Sequence, residues 1–329
     1  MTHPGNQDDL DADRNDGRRI AVRVASIATV DAERRLDNFL LAALKGAPRS
    51  LVYKLVRSGQ VRVNGGRVKP DHRLQAGDKV RIPPVNAPPA DGVVAIPTAR
   101  VRELESRVLH EDERTIVLDK PAGLACHGGS GLRYGVIEIM RAARPDLARL
   151  DLAHRLDRDT SGCLVLCKDL DSLRQVNTAI RERTTAKHYI ALLRGHLARD
   201  MRRIDATLTI ARDRAGERRA TVEDSGKLAS TLVETVDYCG AHSLARLQLI
   251  TGRMHQIRAH ARHIGHPVAG DRHYGDPEFN RELALIGLDR LFLHAARIAV
   301  TTPHWRLDVA APLPAALSAV AACLQNAPR

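Results

Sequence analysis

His154-Arg155-Leu156-Asp157-Arg158-Asp159-Thr160-Ser161-Gly162 sets two carboxylates and two guanidiniums within five residues, then closes on small turn-forming residues. Directly after it, Cys163-Leu164-Val165-Leu166-Cys167 is an unbroken apolar run bounded by Lys168 and Asp169, the pattern of a buried strand. A charged loop is thus presented at the mouth of a buried strand, a common station for a catalytic acid. Asp157 is flanked by Arg155 and Arg158, whose charges favour the carboxylate form; it can serve as nucleophile or general base. Solvated ion pairs on a surface turn are the plainer reading of the same residues. Two known signatures do not fit. Leu156 breaks the spacing of a kinase His-Arg-Asp loop, and Asp151-Leu152-Ala153-His154 is too mixed for the hydrophobic strand that leads into a phosphatase-like Asp-x-Asp.

A chain of 329 residues suggests two domains with a sizeable core. Aromatics make up only 3%, so binding by ring stacking rests on very few side chains. The formal charge of +12 and pI near 10 point to a polyanionic partner. Nucleic acid is the candidate, because no apolar stretch approaches membrane-spanning length. The five cysteines are scattered, with no Cys-x-x-Cys pair. Cys163 and Cys167 share one face of the apparent strand and read as core thiols. The N-terminal Asp8, Asp9, Asp11, Asp13 and Asp16 come with no signal-peptide core, which leads to an expected reducing, cytoplasmic setting.

Residues 1–20 are polar and expected to be a disordered tail. From Ala32, Leu36, Phe39, Leu40, Ala43 and Leu44 fall at helical spacing, and Leu51, Leu55 and Val56 continue on a second helix. Gln60 to Val68 alternates and turns at Asn64-Gly65, a hairpin signal; Lys79-Val80-Arg81-Ile82 is a further strand. Residues 21–84 hold thirteen Lys and Arg against five Asp and Glu, a net +8 of the chain's +12. Arg34, Arg35, Arg49, Lys54 and Arg57 sit on the two helices and are expected to form one basic face for RNA phosphates. This stretch resembles an S4 RNA-binding domain through Arg35-Leu36-Asp37-Asn38-Phe39-Leu40, Arg49-Ser50 and Val61-Arg62-Val63-Asn64-Gly65. A proline-rich linker is expected over 85–106, followed by a second domain over 107–329.

In that domain Thr115–Lys120 reads as a strand ended by Pro121, and His127-Gly128-Gly129-Ser130-Gly131 as a flexible loop near RNA that lacks the ending of a nucleotide-binding loop. Val136–Ala143 and Leu170–Arg183 read as helices, Lys187–Gly195 and Leu244–Ile250 as strands, and 200–240 as successive short strands. His255, His260, His263 and His266 invite a metal reading. The spacing is wrong for a helical His pair, no acid or cysteine lies alongside, and Arg253, Arg258 and Arg262 repel a cation. No metal is expected.

Three separated stretches resemble the RluA-type pseudouridine synthases: His154 to Gly162, Lys187-His188-Tyr189-Ile190-Ala191-Leu192, and Thr251-Gly252-Arg253-Met254-His255-Gln256-Ile257-Arg258. Lys120-Pro121-Ala122-Gly123, Gly270-Asp271 with Tyr274-Gly275, and Arg290 to Ala295 fit the same pattern. His127 to Glu138 resembles the subgroup acting on large-subunit ribosomal RNA. The resemblance implies an α/β (α+β) catalytic domain on a bent, mainly antiparallel mixed sheet behind a small S4 domain. It implies isomerisation of uridine in structured RNA, with 23S ribosomal RNA or an assembly intermediate as partner, no cofactor, no membrane and a monomeric protein. Asp157 would be the essential acid. Tyr189 would stack on the base and help remove its carbon-5 proton, and Arg258 would pair with Asp157. Arg155 would fill the gap left by the flipped uridine, with His154 and Arg253 also contacting RNA. The rivals are a non-catalytic S4-type ribosome-assembly protein, an aspartate-dependent hydrolase, and a synthase acting on transfer RNA.

Overall fold

The computed structural model describes residues 19–20, 22–44, 47, 49–86, 96–129, 132–213 and 216–326. It divides into two compact units, Met1–Ala95 and Ile96–Arg329. The expected tail, apart from residues 19 and 20, lies outside the described residues. So do 87–95 of the proline-rich run and residues 130 and 131 of the glycine loop.

In the first unit β1 (Arg19–Ile20) pairs with β5 (Val85–Asn86), and β2 (Arg23–Ser26), β4 (Lys79–Ile82) and β3 (Arg62–Val63) form a small antiparallel sheet. α1 (Leu36–Ala43) and α2 (Arg49–Arg57) supply Leu36, Leu40, Val52 and Val56 to one core with Val80 and Ile82. The Asn64-Gly65 turn forms with positive φ at both residues, but the expected return strand does not. Val63 and Gly66 close the turn with reciprocal backbone hydrogen bonds at 3.1 and 2.9 Å, and beyond them Val63 pairs with Val80. The Asn64 amide explains this: it donates to Asp78 and accepts the Lys79 N–H, both at 2.8 Å, tying the turn to β4.

Two of the five cations expected on one basic face, Arg34 and Arg35, are engaged in ion pairs. Arg35 forks onto buried Asp37 at 3.1 and 2.7 Å, and Arg34 reaches Asp31 at 3.1 Å and the Asn38 carbonyl at 3.2 Å. Burial pushes the Asp37 carboxyl up, but the hydrogen bonds from Arg35 and Tyr53 outweigh it and hold the group below its usual range. Arg34 and Arg35 therefore stabilise the start of α1. Lys54 and Arg57 stay exposed, while the Arg49 side chain lies outside the described ones.

In the second unit α3 (Thr98–Glu105) falls inside the stretch expected as linker. Its Leu104 is 2% exposed, and Val101 packs beside it in the main core; apolar positions three apart make this a packed helix. The unit continues as β6 (Val108–Glu111), β7 (Thr115–Lys120), α4 (Val136–Ala143), β8 (Asp151–Leu152), β9 (Ser161–Cys167) and α5 (Leu170–Glu182). Five strands follow: β10 (Thr185–Leu193), β11 (Arg203–Arg212), β12 (Arg218–Val222), β13 (Lys227–Cys239) and β14 (His242–Leu249). Then come α6 (Gln256–His263), α7 (Pro277–Leu285), β15 (Leu293–Thr301), β16 (Arg306–Ala310) and α8 (Ala315–Asn326).

One sheet runs β12-β11-β13-β14-β10-β15-β9-β7-β6, with β16 on β15 and β8 on β9. Every pairing in it is antiparallel except β9 with β15. This matches the mixed, mainly antiparallel sheet expected from sequence. The strands of 200–240 are longer than expected, ten residues in β11 and thirteen in β13.

All seven residues of β9 are buried. Leu164 and Leu166 enter the core on one face, while Cys163, Val165 and Cys167 enter the core on the other with Val176 and Ala179 of α5. The charged loop therefore springs from a strand packed on both sides. At its base, Ser161 and Gly162 meet His294 and Ala295 in the parallel pair. Gly162 has φ +109°, and a Cβ there would lie 2.2 Å from the Ala295 carbonyl oxygen. Gly162→Ala is expected to cost about 3 kcal/mol or more. Thermal unfolding checks this, and a melting temperature equal to wild type would refute the close approach.

Candidate active site

Asp157 sits on the β8–β9 loop, which is clamped on both sides of it. The Cys126 thiol meets the Leu156 N–H and C=O at 3.3 Å. On the other side the fully buried Lys120 ammonium donates to the carbonyls of Pro121, Leu124 and Arg158 at 2.8, 2.8 and 3.0 Å. Burial brings the Lys120 pKa down to about 8, so the ammonium stands near the edge of its charged range, held by three carbonyls. The Asp157 carboxylate thus projects from a fixed backbone with its side chain 25% exposed.

α6 brings Arg258 to it. The guanidinium, 4% exposed, forks onto buried Asp271 at 2.7 and 2.8 Å and reaches Asp157 Oδ2 at 3.4 Å. The expected Asp157–Arg258 pairing is present, but Asp271 is the partner that anchors the arginine. Burial raises the Asp271 carboxyl, yet the guanidinium outweighs it and holds the group below the carboxylate range.

Tyr189 comes from β10, in regular register with Leu247 of β14, while the extra residue of the β10–β15 ladder falls on β15 opposite it. Its ring is 7% exposed and borders the same cleft as Asp157. Burial, then the Asp157 charge, push its phenol well above the usual range, so it remains a neutral ring at neutral pH.

The cleft measures about 800 Å³, room for a nucleotide with part of its neighbours. Among the described residues Asp157 is the one carboxylate on its wall, against Arg155, Arg158, Arg181, Arg183, Arg253 and Arg258. Lys187 also lines it, its pKa lowered by burial. Arg155 and Arg253 are exposed at the cleft as expected. His154 is corrected. Its Nε2 accepts the Val165 N–H at 3.1 Å, and burial brings its pKa down to about 3, which leaves no cationic imidazole for a phosphate.

Sequence reading passed over Arg181 and Arg183, which α5 and its left-handed C-cap carry to the rim. It also gave no role to Asp271 or His255. Gly270-Asp271 was visible as a turn, but nothing local to it points to Arg258.

Residues 114–263 match the RNA pseudouridylate synthase family, and residues 34–80 match the S4 domain. The chain is similar to the Haemophilus influenzae protein named ribosomal large subunit pseudouridine synthase C, at 44% identity over 86% of this chain and 88% of the relative. The Escherichia coli K12 protein of the same name is also 44% identical, over 86% and 90%. Among solved structures, human RNA pseudouridylate synthase domain containing 4 aligns with TM-score 0.57 and 25% identity over 69% of this chain and 96% of that one. With the fold, the clamped aspartate and these relatives in agreement, the chain belongs to the RNA pseudouridine synthase family of isomerases and carries an S4 domain ahead of its catalytic unit.

Proposed function

We propose that this chain isomerises uridines of large-subunit ribosomal RNA, with Asp157 as the reacting carboxylate. The observation that carries the reading is one carboxylate on the wall of a strongly basic cleft. The names of its relatives support the choice of RNA. Breaking the ribose C1′–N1 bond and forming C1′–C5 transfers no electrons. The proton lost at C5 balances the one gained at N1, so no external cofactor is required.

Asp157 acts either by adding to C1′ or by taking the 2′ proton to leave a glycal. Arg258, anchored by Asp271, keeps that carboxylate oriented. Tyr189 serves as the wall against which the detached uracil stacks; its raised pKa weighs against a free phenolate removing the C5 proton. Arg155 fills the space left by the flipped nucleotide, and the rim arginines hold phosphates on either side. The protein would act as a monomer on ribosomal RNA, free or in an assembly intermediate.

The test is purified protein on transcripts of large-subunit ribosomal RNA and of transfer RNA. Pseudouridine at discrete ribosomal sites is expected, whereas conversion of transfer RNA alone would overturn the substrate. Arg253→Ala is expected to weaken binding and lower the slope of log affinity against log salt by about one unit, the signature of one lost phosphate contact. An unchanged slope would remove Arg253 from the interface.

A further inference from the structure

His255 occupies the left-handed backbone region, uncommon for a residue with a Cβ although histidine enters it more readily than most. It stands at the N-terminus of α6 with φ 51° and ψ 24°, a left-handed geometry that is strained for a residue with a Cβ. The surrounding turn over-determines it. The Gln256 carboxamide accepts from the Thr251 hydroxyl and the Arg253 N–H at 2.7 and 3.0 Å, and donates to Ser230 O and Thr231 Oγ1 at 2.9 and 3.0 Å. Held this way, the imidazole borders the cleft beside Asp157.

Its two nitrogens face different partners. Nδ1 lies 3.0 Å from the hydroxyl of Tyr274, which itself accepts the Ala220 N–H at 2.8 Å. With its oxygen so engaged and its phenol kept protonated by burial, Tyr274 has one hydrogen to give, and Nδ1 takes it. That arrangement assigns the ring proton to Nε2. That nitrogen faces Asp157 Oδ1 at 3.9 Å, while Arg258 faces Oδ2. The gap exceeds hydrogen-bond length by about 1 Å, the kind of slack that closes when substrate fills a site.

We propose that His255 is a positioning residue for the reaction, a neutral imidazole whose Nε2–H holds the Asp157 carboxylate and whose tautomer is set by the Tyr274 hydroxyl. The inference rests on Asp157 being the reacting group. It explains why a strained histidine stands where an unstrained turn residue would serve the fold. With Oδ1 held by His255 and Oδ2 steadied by Arg258, the carboxylate plane has one orientation toward the ribose. Protonation of His255 would place an N–H against the Tyr274 hydroxyl and break the relay. Asp157 from the β8–β9 loop, Arg258 on the same helix, and Asp271 and His273 from the following turn are the charged or titratable groups that face it. Burial, ahead of these, holds its pKa below the usual imidazole range.

The experiment measures single-turnover pseudouridine formation against pH at saturating large-subunit ribosomal RNA transcript, with RNA affinity measured alongside. The variants are His255→Asn and Tyr274→Phe. Asparagine tolerates the left-handed backbone and does not titrate, and phenylalanine keeps the ring while deleting the relay hydrogen. Wild type is expected to show an acid-side fall in rate, and His255→Asn to retain RNA affinity, to lose about 100-fold in rate, the scale of a misplacement of 1 Å at a reacting group, and to lose that fall. Tyr274→Phe is expected to slow the reaction in the same direction and to shift that fall. A wild-type rate in either variant, or a slower His255→Asn with the wild-type pH profile intact, overturns the proposal. Asp157→Ala is run beside them. If it stays active, the Asp157 reading itself fails; if it is dead while His255→Asn is normal, only the role of His255 falls.

Discussion

Asp157→Asn is expected to abolish pseudouridine formation, by about 10⁴-fold or more, in a protein that stays folded and keeps its affinity for RNA. The amide has the shape of the carboxylate but can neither add to C1′ nor accept the 2′ proton. The fold gives the substitution little to disturb. The loop is held through the backbone by Lys120 and Cys126, and the side chain meets Arg258 at 3.4 Å and His255 at 3.9 Å, both long. Single-turnover assays with equilibrium RNA binding check both halves. A variant that binds RNA and still converts uridine would show that another group performs the chemistry.

Asp271→Ala is the second large effect, and it acts on stability and activity together. It leaves the Arg258 guanidinium, 4% exposed, without its two short hydrogen bonds. An uncompensated buried charge of this kind costs about 3–5 kcal/mol. Replacing the pair together, as Arg258→Met with Asp271→Leu, removes the uncompensated charge and is expected to recover most of that loss, yet to stay inactive because Asp157 has lost its cation. Stability and activity should therefore separate in the double variant. Acid unfolding gives a further check. The Asp271 carboxyl is held below its usual range, so its contribution is fully present above about pH 4, the unfolded value, and is lost as pH falls through the lower folded value. The double variant should lack that share of acid sensitivity. A double variant as unstable as Asp271→Ala would contradict this reading of the buried pair.

The catalytic loop was legible because its chemistry is local: alternating charges, then seven buried strand residues, all within 154–167. Tyr189 and Arg258 were legible through the motifs around them. Asp271 was legible as part of the Gly270-Asp271 motif but not as an anchor, because its partner lies thirteen residues away across the end of α6. His255 read as one more histidine beside arginines; its left-handed backbone exists only once Gln256 has locked the turn. His154 misled in the opposite sense. Its charged neighbours suggested solvent, whereas its ring turns back to accept the Val165 N–H. Helix α3 hid behind a run of prolines, and its burial depends on contacts with α4 that no local pattern carries. The length of β11 lay in a strict alternation of Ile204, Ala206, Leu208 and Ile210 with Asp205, Thr207 and Thr209, a period-2 signal that the reading of short strands over 200–240 did not use. In the first unit, charge counting found the basic surplus but not that Arg34 and Arg35 are engaged by Asp31 and Asp37.

The most direct measurement is pseudouridine mapping of ribosomal RNA from cells lacking this protein, complemented with wild type or with Asp157→Ala. Discrete large-subunit sites should vanish in the deletion, return with wild type, and stay absent with Asp157→Ala. Sites that return fully with Asp157→Ala, or a large-subunit map that does not change at all, would contradict the assignment.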